Sequence, residues 1–296
     1  MTKKRMNHIA RLQKYTVKDL NKEFPNDGAC LEWLKNHRWP DGIHCPVCDK
    51  ITKHHKVSNR TCYECDNCGH QVYPLAGTIF HKSATPLKTW FEVIHRMAST
   101  RCGISAKQIQ REFGVTYKTA WRMFKQTRSL LGECNPIFTG EVEADETYIG
   151  GKARGKRGRG AENKTAVVGI VQRGGKVVAS VVPNVKSSTI VPFITSRIAP
   201  NAVLYTDEFP SYDHFTRIGF KHRRIEHGAR VYVDGNIHTN QIEGFWSLVK
   251  RGISGVYHAV SPKYLQSYLN EYSFRYNHRD DNMPMFKVVL NQIRAF

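Results

Sequence analysis

Four cysteines have the spacing of a metal site. Cys45 and Cys48 form one Cys-x-x-Cys pair, Cys65 and Cys68 form a second, and sixteen residues separate the two pairs. Four thiolates carried on two tight turns can close a tetrahedral site, and without a secretion signal metal is favoured over disulfides. The sequence therefore predicts a zinc ribbon in which these four cysteines bind one structural Zn²⁺.

The choice of the second pair is open on spacing alone. Cys62 stands three residues before Cys65, so these two could form the knuckle in place of Cys65 and Cys68. We favour the later pair because Gly69 follows it, and glycine relaxes the backbone where such a turn ends. Nearby histidines could also substitute, although such residues more often lie at a surface: His44, His54, His55 and His70.

Three carboxylates in the C-terminal half have the types and positions of a catalytic metal site. Asp145 lies inside an apolar strand candidate, where aspartate is depleted. Asp207 ends a second short apolar strand, and Glu243 lies on an amphipathic helix candidate. Carboxylates converging in this way can hold two cations about 4 Å apart, which activate the attacking oxygen and stabilise the leaving oxygen of a phosphodiester. Oxygen ligands suit two ions of Mg²⁺ or Mn²⁺.

Each of these carboxylates also has a structural explanation. Asp207 could cap the turn that follows it, and Glu243 could complete a capping box with Asn240. Asp145 is the hardest to explain in this way, because nothing about a strand interior calls for a carboxylate. We therefore predict all three as catalytic residues and metal ligands.

The composition indicates the class of partner. The 296 residues include 45 Lys and Arg against 25 Asp and Glu, a net charge of +20, with 40% hydrophobic and 11% aromatic residues. Such apolar content excludes a disordered chain, and no run approaches the 18 apolar residues of a membrane helix. The basic N-terminus lacks a signal-peptide core, so we expect a cytoplasmic protein. The charge favours nucleic acid as partner over a merely solvated basic surface.

Residues 83–135 have the pattern of a helix-turn-helix DNA-binding domain. Three short helices are predicted, with Gly114 in the turn between the second and third and Thr116 as the cap of the third. The third helix would bury Ala120, Trp121 and Phe124. Its exposed start carries side chains suited to a DNA groove and phosphates: Tyr117, Lys118, Thr119 and Arg122. The alternative is a plain three-helix bundle.

The remaining regions complete a three-domain organisation. Residues 1–82 hold an N-terminal helical segment and the ribbon. Residues 138–296 read as three antiparallel strands, a helix, a strand and further helices, which is the element order of a ribonuclease-H-like α/β domain. On the first strand, a period of two puts Glu143 and Asp145 on one face and Glu146 on the other.

Two sets of basic residues are predicted to contact DNA near the carboxylates. The glycine-spaced segment 152–164, alternatively a solvated loop, carries Arg154, Lys156, Arg157 and Arg159. Lys250, seven residues after Glu243, returns to nearly the same helix face, with Trp246 and Ser247 between them. We include Lys250 in the catalytic set, gripping DNA phosphate with Arg251. The opposite, core-facing stripe would be Ile242, Phe245 and Val249.

Long stretches of the chain resemble the motifs of Merlin-related bacterial insertion-sequence transposases. The catalytic stretches are EADETYIGGK at 143–152, YTDE at 205–208 and HTNQIEGFWSLVKR at 238–251. GTIFH at 77–81 and RWPDGIHCP at 38–46 resemble the zinc-binding module of the same family. The resemblance extends from about residue 17 to residue 280.

This resemblance implies a DDE-type transposase, a polynucleotidyl transferase that binds the terminal inverted repeats of an insertion sequence and joins them to target DNA. It implies Asp145, Asp207 and Glu243 as the acidic triad, with 35 residues between the last two. Some relatives carry Asn as the last member, so Asn240 is an alternative; we favour Glu243 because only a carboxylate neutralises cation charge. Pairing of two transposon ends implies a homodimer or larger synaptic assembly, in the cytoplasm at the bacterial nucleoid.

Two alternatives remain open at the level of sequence. A nuclease of the same fold would hydrolyse DNA without joining it. A transcription regulator would use the ribbon and the helix-turn-helix beside an inactive C-terminal domain, although the complete acidic triad speaks against that.

Overall fold

The computed structural model describes residues 15–132, 136–151, 164–225 and 238–294. The chain forms two compact units: Met1–Thr100 with Ala106–Leu130 and Asp281–Phe296, and Arg101–Ser105 with Leu131–Asp280. The sequence predicts residues 281–296 within the C-terminal domain, but they belong to the first unit, because Phe286 packs among its aromatic rings, 6.2 Å from Phe24. The predicted boundary at 82/83 does not separate compact units either.

The first unit begins with two capped helices. α1 (Val17–Glu23) starts after Thr16, whose hydroxyl accepts the N–H of Asp19 while the Asp19 carboxylate accepts the N–H of Thr16. This reciprocal arrangement satisfies two donors that a helix start leaves unpaired. α2 (Asp27–Arg38) starts after Asn26, whose side chain accepts the N–H of the third residue beyond it.

Five short strands form the ribbon: β1 (His44–Cys45), β2 (Lys50–Ile51), β3 (His54–Lys56), β4 (Tyr63–Cys65) and β5 (Gln71–Val72). β1 and β2 form one antiparallel sheet, and β3, β4 and β5 form another. The Tyr63 hydroxyl donates to Glu32 of α2 at 2.6 Å, so the preceding helix contacts the ribbon. Strands of two or three residues cannot bury a core of their own, so the ribbon needs another source of stability.

Three helices follow: α3 (Leu87–Ser99), α4 (Ala106–Phe113) and α5 (Tyr117–Leu130). The turn before α5 passes through Gly114 at φ +63°, a left-handed conformation that favours glycine. The Thr116 hydroxyl accepts the N–H of Thr119 at 3.1 Å, which is the predicted cap. The buried face of α5 includes Ala120, Met123, Phe124 and Thr127. Trp121, predicted on that face, is only partly buried, because it lies beside a stripe that recurs every three or four residues.

The second unit is built on a five-stranded mixed sheet: β6 (Glu141–Gly150), β7 (Lys164–Gln172), β8 (Val177–Val181), β9 (Val203–Thr206) and β10 (Lys221–Arg224). The spatial order is β10-β9-β6-β7-β8. The pairs β6–β7 and β7–β8 are antiparallel, whereas β6–β9 and β9–β10 are parallel. The sequence predicts the first four strands. β10 escapes prediction because its residues, KHRR, show no apolar alternation.

Helices cover both faces of this sheet. α6 (Ser187–Thr195) and α7 (Asp213–Arg217), the latter preceded by a 3₁₀ turn at Pro210–Tyr212, contribute to one core. α8 (Asn240–Gly252), continued by a π-helical turn at Ile253–Tyr257, and α9 (Pro262–Asn277) contribute to the other. The last helix, α10 (Met285–Asn291), belongs to the first unit. Within the described ranges, no helix combines the length and apolarity that crossing a membrane requires.

Candidate functional site

The two knuckles of the ribbon bring four sulfur atoms together. The Sγ atoms all lie within 4.8 Å of one another: Cys45, Cys48, Cys65 and Cys68. Each knuckle ends in a left-handed residue, Asp49 at φ 51° after the first and Gly69 at φ 71° after the second. The glycine that favours the second pair in the sequence thus occupies a position where glycine is at no steric disadvantage.

Cys62 lies outside this cluster. Its side chain is fully buried, and its Sγ lies 3.8 Å from Oε1 of Gln71. Among the described residues, the cluster contains no histidine of the ribbon. The ambiguity between the two possible second pairs is therefore resolved by position.

The geometry and chemistry of the cluster fit Zn²⁺. The Sγ atoms of Cys45 and Cys68 are 3.5 Å apart, and those of Cys48 and Cys65 are 3.9 Å apart. A tetrahedron with Zn–S bonds of about 2.3 Å has edges of about 3.8 Å. Hydrogen bonds, first that of the Thr52 hydroxyl 3.1 Å from Cys65 Sγ, lower the pKa of the Cys65 thiol to about 6 and favour its thiolate, whereas hydrogen bonds with the neighbouring thiols raise the pKa of Cys48 to about 12.

In the second unit, the strand register brings two predicted carboxylates to the same level of the sheet. β6 and β9 run parallel, and Glu143 pairs with Tyr205. Asp145 and Asp207 each follow this pair by two residues, so they lie on the same face at adjacent positions. Asp207 also accepts the N–H of Phe209 at 3.0 Å, so it stabilises the turn as well.

Glu243 reaches the same region from α8, which packs on β6 and β7. It lies in the first turn of that helix with an exposed side chain. The capping box with Asn240 does not form: Thr239 is the N-cap residue, and its hydroxyl donates to Oε1 of Glu243 at 2.7 Å. This bond orients the carboxylate, and Asn240 lies exposed at the first helical position.

The electrostatics of Asp145 reflect this gathering of charge. Its pKa is raised from 3.8 to about 8, first because burial desolvates the carboxyl group, then because Glu146, Asp207 and Glu243 oppose its ionisation. Oxygen donors that repel one another in a partly buried place are stabilised by a divalent cation such as Mg²⁺. The donor set therefore fits the predicted cations, and the role of these residues as ligands stays a prediction.

Two further buried carboxylates have structural partners. Glu146 lies on the opposite face of β6 and accepts a 2.7 Å hydrogen bond from the Tyr212 hydroxyl. Glu271 of α9 pairs with Arg275 one turn later and also accepts a hydrogen bond from the Tyr257 hydroxyl. Both groups are accounted for without a catalytic role.

The exposed face of α8 differs from the prediction at one residue. Glu243, Ser247 and Lys250 are exposed, as expected. Trp246, predicted to lie between them, is 3% exposed and packs in the core beside Ile242. The buried stripe of this helix is wider than the three residues assigned to it, because residues four apart share a face.

The residues predicted to bind DNA are found in separate places. On α5, Tyr117, Lys118 and Arg122 are exposed and Thr119 is partly exposed. Arg122 donates to the carbonyl of His81 at 3.0 Å, and Lys107 lies 5.0 Å from the ring of Tyr117. Arg251 bonds back to the Ser247 carbonyl at 3.2 Å. Four predicted residues lie outside the described part of the chain: Arg154, Lys156, Arg157 and Arg159.

Sequence reasoning assigned no role to a buried ion pair beside this site. Glu143 is 0% exposed and accepts a 2.9 Å hydrogen bond from Nε of Arg173, at the β7–β8 turn. The same carboxylate accepts the backbone N–H groups of Gln241 and Ile242 at 2.8 and 3.1 Å. The sequence does indicate that a second carboxylate, Glu143, shares the strand face of Asp145. It does not indicate that Arg173, thirty residues later in the chain, is the partner of Glu143.

Comparisons with known proteins find one family model within each of the two units. Residues 137–277 match a family model described as an ISXO2-like transposase domain, and residues 25–71 match a transposase zinc-ribbon domain. A protein in transposable element ISH50 of Halobacterium salinarum is 29% identical over 275 residues, covering 86% of this chain and 92% of that protein.

Two further proteins are similar to the chain, one in sequence and one in structure. A transposase-like protein of Haemophilus influenzae is 33% identical over 105 residues, which cover 36% of this chain and 84% of that protein. A chain in the simian T-cell lymphotropic virus intasome with PP2A regulatory subunit B56 gamma is 14% identical, and the match covers 61% of this chain and 65% of that one. The TM-score of this match is 0.30. From the family models and the transposase-like relative, the chain belongs to the insertion-sequence transposases that join a transposase zinc ribbon to an ISXO2-like transposase domain.

Proposed function

We propose that this transposase cleaves DNA at the ends of its insertion sequence and transfers the freed strands to target DNA, using Asp145, Asp207 and Glu243. The observation that supports this best is the environment of Asp145, where burial first, and then the charges of three further carboxylates, raise its pKa to about 8. The β6–β9 register and the docking of α8 on β6 provide the structural basis.

The topology of the second unit supports a ribonuclease-H-like domain. Three antiparallel strands are followed by a helix, a parallel strand and further helices, in the expected order. The acidic residues occupy the central strand, the end of its parallel neighbour and a helix packed on the same face. Such a placement suits phosphoryl transfer, in which positioning and electrostatics supply most of the rate.

The reaction we propose has two steps at one site. Water attacks the phosphodiester at a transposon end and releases a 3′-hydroxyl; that hydroxyl then attacks a target phosphate and displaces its 3′-oxygen. Mg²⁺ or Mn²⁺, when bound, activates the attacking oxygen and stabilises the leaving one. Asp145, Asp207 and Glu243 hold the cations, Thr239 orients Glu243, and Lys250 binds phosphate outside the carboxylates.

The first unit would bind the transposon ends. The ribbon would act together with the helices α3 to α5, which we propose as a helix-turn-helix. Helix α5 presents exposed aromatic and basic groups at Tyr117, Lys118 and Arg122. A net charge of +20 supports a polyanionic partner. Two ends must be cut together, so a homodimer or larger assembly at the bacterial nucleoid is part of this proposal.

A nicking and strand-transfer assay on a plasmid carrying the terminal repeats tests the proposal. Glu243→Gln should lower both activities at least a thousandfold and leave end binding nearly intact, because one metal ligand is lost together with a charge that repels DNA. Two matched variants serve as controls: Asn240→Ala, three residues earlier on the same helix, and Glu271→Gln, in the buried pair of α9. Both should retain Mg²⁺-dependent nicking.

The outcomes separate the alternatives. Loss of nicking in Asn240→Ala or Glu271→Gln, with Glu243→Gln active, would show that the third ligand is wrongly assigned. Nicking without any joined product would indicate a nuclease. Specific end binding with no metal-dependent nicking by the unmodified protein would indicate a DNA-binding regulator.

A further inference from the structure

The buried carboxylate of Glu143 joins three elements of the second unit. It lies on β6, two residues before Asp145, and accepts Arg173 Nε from the β7–β8 turn at 2.9 Å. Its other oxygen accepts the N–H groups of Gln241 and Ile242 in the first turn of α8, at 2.8 and 3.1 Å. A carboxylate at a helix N-terminus satisfies unpaired N–H groups and complements the helix dipole.

Arg173 extends the same connection. Its Nη2 donates to the carbonyl of His238 at 2.7 Å, just before α8 begins, and its guanidinium lies 4.0 Å from the ring of Tyr205. In the same turn, the N–H of Gly174 donates to the side chain of Gln241 at 3.1 Å. The start of α8 is therefore tied to β6 and to the β7–β8 turn by hydrogen bonds, most of which involve a charged group.

Further along α8, the helix also packs closely against strand β7. Gly169 of β7 pairs with Asp145 in the sheet register. A Cβ atom at position 169 would lie 2.5 Å from the ring of Trp246 and 2.9 Å from Ile242. Only glycine lets α8 lie this close to the strand beside Asp145, and Glu243 stands between these two core residues in the helix.

We propose that Glu143 is a positioning residue: with Arg173, it holds the first turn of α8 against β6 and so keeps Glu243 beside Asp145. Asp145 and Glu243 repel each other when both are ionised and no cation lies between them, and this repulsion pushes α8 away from the sheet. Glu143 opposes that push at Gln241 and Ile242, the two residues immediately before Glu243. This inference rests on the proposed function, because it assigns a purpose to the placement of Glu243.

Glu141 provides a matched control. It lies two residues before Glu143 on the same strand, 3.4 Å from Nη1 of the same Arg173, and accepts the Tyr205 hydroxyl at 2.7 Å. Unlike Glu143, it forms no hydrogen bond to α8 within the described residues. Glu141→Gln therefore weakens the same arginine cluster without loosening the helix.

Two measurements on zinc-loaded protein without DNA test the proposal. The first is hydrogen–deuterium exchange of a peptide covering residues 238–246, in which Glu143→Gln should exchange about tenfold faster than both the unmodified protein and Glu141→Gln. The second is calorimetric titration with Mn²⁺, in which Glu143→Gln should bind at least fivefold more weakly. Equal behaviour of Glu143→Gln and Glu141→Gln in both measurements would overturn the proposal.

A paired variant separates positioning from stability. Glu143→Gln removes from the buried Arg173 the carboxylate that accepts its Nε and leaves Glu141, 3.4 Å from Nη1, as its countercharge; this change alone lowers the melting temperature. The double variant Glu143→Gln with Arg173→Met removes that imbalance but does not restore the anchor, so it should regain stability while α8 stays fast-exchanging and Mn²⁺ binding stays weak. Recovery of all three readouts would reduce Glu143 to a structural role. Normal Mn²⁺ affinity in Glu243→Gln would count against the proposed function, while the exchange rates would still decide whether Glu143 anchors α8.

Discussion

The cysteine cluster of the ribbon and the carboxylates of the second unit are both sets of anionic groups, but the chain assembles them in opposite ways. The cysteines come from residues 45–68, and each pair is carried by one tight turn. Asp145, Asp207 and Glu243 come from a strand, a strand end and a helix. A local site can be identified from spacing alone, whereas a distributed site exists only once strand register and helix docking are set.

The two sites also differ in how much the binding of a metal ion contributes to the free energy of folding. The ribbon strands are too short to bury a core, so its folding free energy must come largely from metal binding. The second unit has an apolar core on each face of its sheet, and the Asp145 carboxylate opposes its folding because it is buried and lies near other carboxylates. Loss of zinc should therefore unfold the ribbon, and loss of the Asp145 carboxylate should stabilise the second unit.

The largest expected effect is that of zinc removal. Cys65→Ser or a strong chelator should reduce zinc from one ion per chain to nearly none and unfold residues 40–75, because structural zinc contributes on the order of 10 kcal/mol to such small folds. Hydrogen–deuterium exchange should show full loss of protection there and unchanged protection in β6 to β8.

Cys62→Ser is the control for this prediction. Cys62 is buried in the same ribbon but lies outside the cluster, so its variant should keep one zinc per chain. Purified protein with a folded ribbon and no zinc would contradict the claim that the ribbon depends on metal for its folding.

Asp145→Asn should have the opposite effect on stability. The folded protein keeps a proton on Asp145 up to about pH 8, whereas the unfolded chain releases it near pH 3.8. Between these values the folded state binds more protons, so the stability of the metal-free protein falls as pH rises. Asp145→Asn should remove this fall and raise the free energy of unfolding at pH 8 by about 2 kcal/mol, less than the full shift implies because the site is partly hydrated. The same variant should abolish strand cleavage.

Urea denaturation of metal-free protein between pH 4 and pH 8 measures this effect. Glu208→Gln, an exposed carboxylate next to Asp207, is the control and should leave the pH dependence unchanged. A pH-independent difference between Asp145→Asn and the unmodified protein would mean that ionisation of Asp145 is not what opposes folding at this site.

These contrasts also explain what the sequence can reveal. The sequence identifies the four zinc-site cysteines because each pair lies on one local turn, and such a turn can be recognised without knowing the fold. They are Cys45, Cys48, Cys65 and Cys68. Asp145 is identifiable because a carboxylate in an apolar strand is unusual, and α8 because its apolar residues recur with helical spacing.

Other features depend on partners distant in sequence. Arg173 meets Glu143 only through the sheet, and Gly169 has meaning only when Trp246 packs on it. The last helix joins the first unit through Phe286, although it follows the second in sequence. The sequence places Trp246 on the exposed face of α8, because Ile242, Phe245 and Val249 already define an apolar stripe without it. In the structure Trp246 is buried.

A smaller effect is expected from the basic segment that follows β6. Replacing Arg154, Lys156, Arg157 and Arg159 with Gln should weaken DNA binding equally at all sequences and flatten the salt dependence by about one unit per lost phosphate contact. Binding isotherms at several salt concentrations measure this slope. Lys18→Gln with Lys22→Gln, at two exposed lysines of α1, measures how far the slope changes when two positive charges are lost outside the segment. An unchanged slope in the fourfold variant would remove the segment from the DNA interface.

The smallest expected effect concerns how far the distributed site extends along α8. Lys250 is exposed seven residues after Glu243, too far for a direct ion pair on a helix. If it binds phosphate beside the carboxylates, Lys250→Ala should flatten the salt slope by about one unit and reduce strand joining severalfold, with Mn²⁺ affinity unchanged. Lys263→Ala, at the exposed start of α9, should change neither. Weaker Mn²⁺ binding in Lys250→Ala would instead make the lysine part of the metal site, and an unchanged salt slope would confine the site to the first turn of the helix.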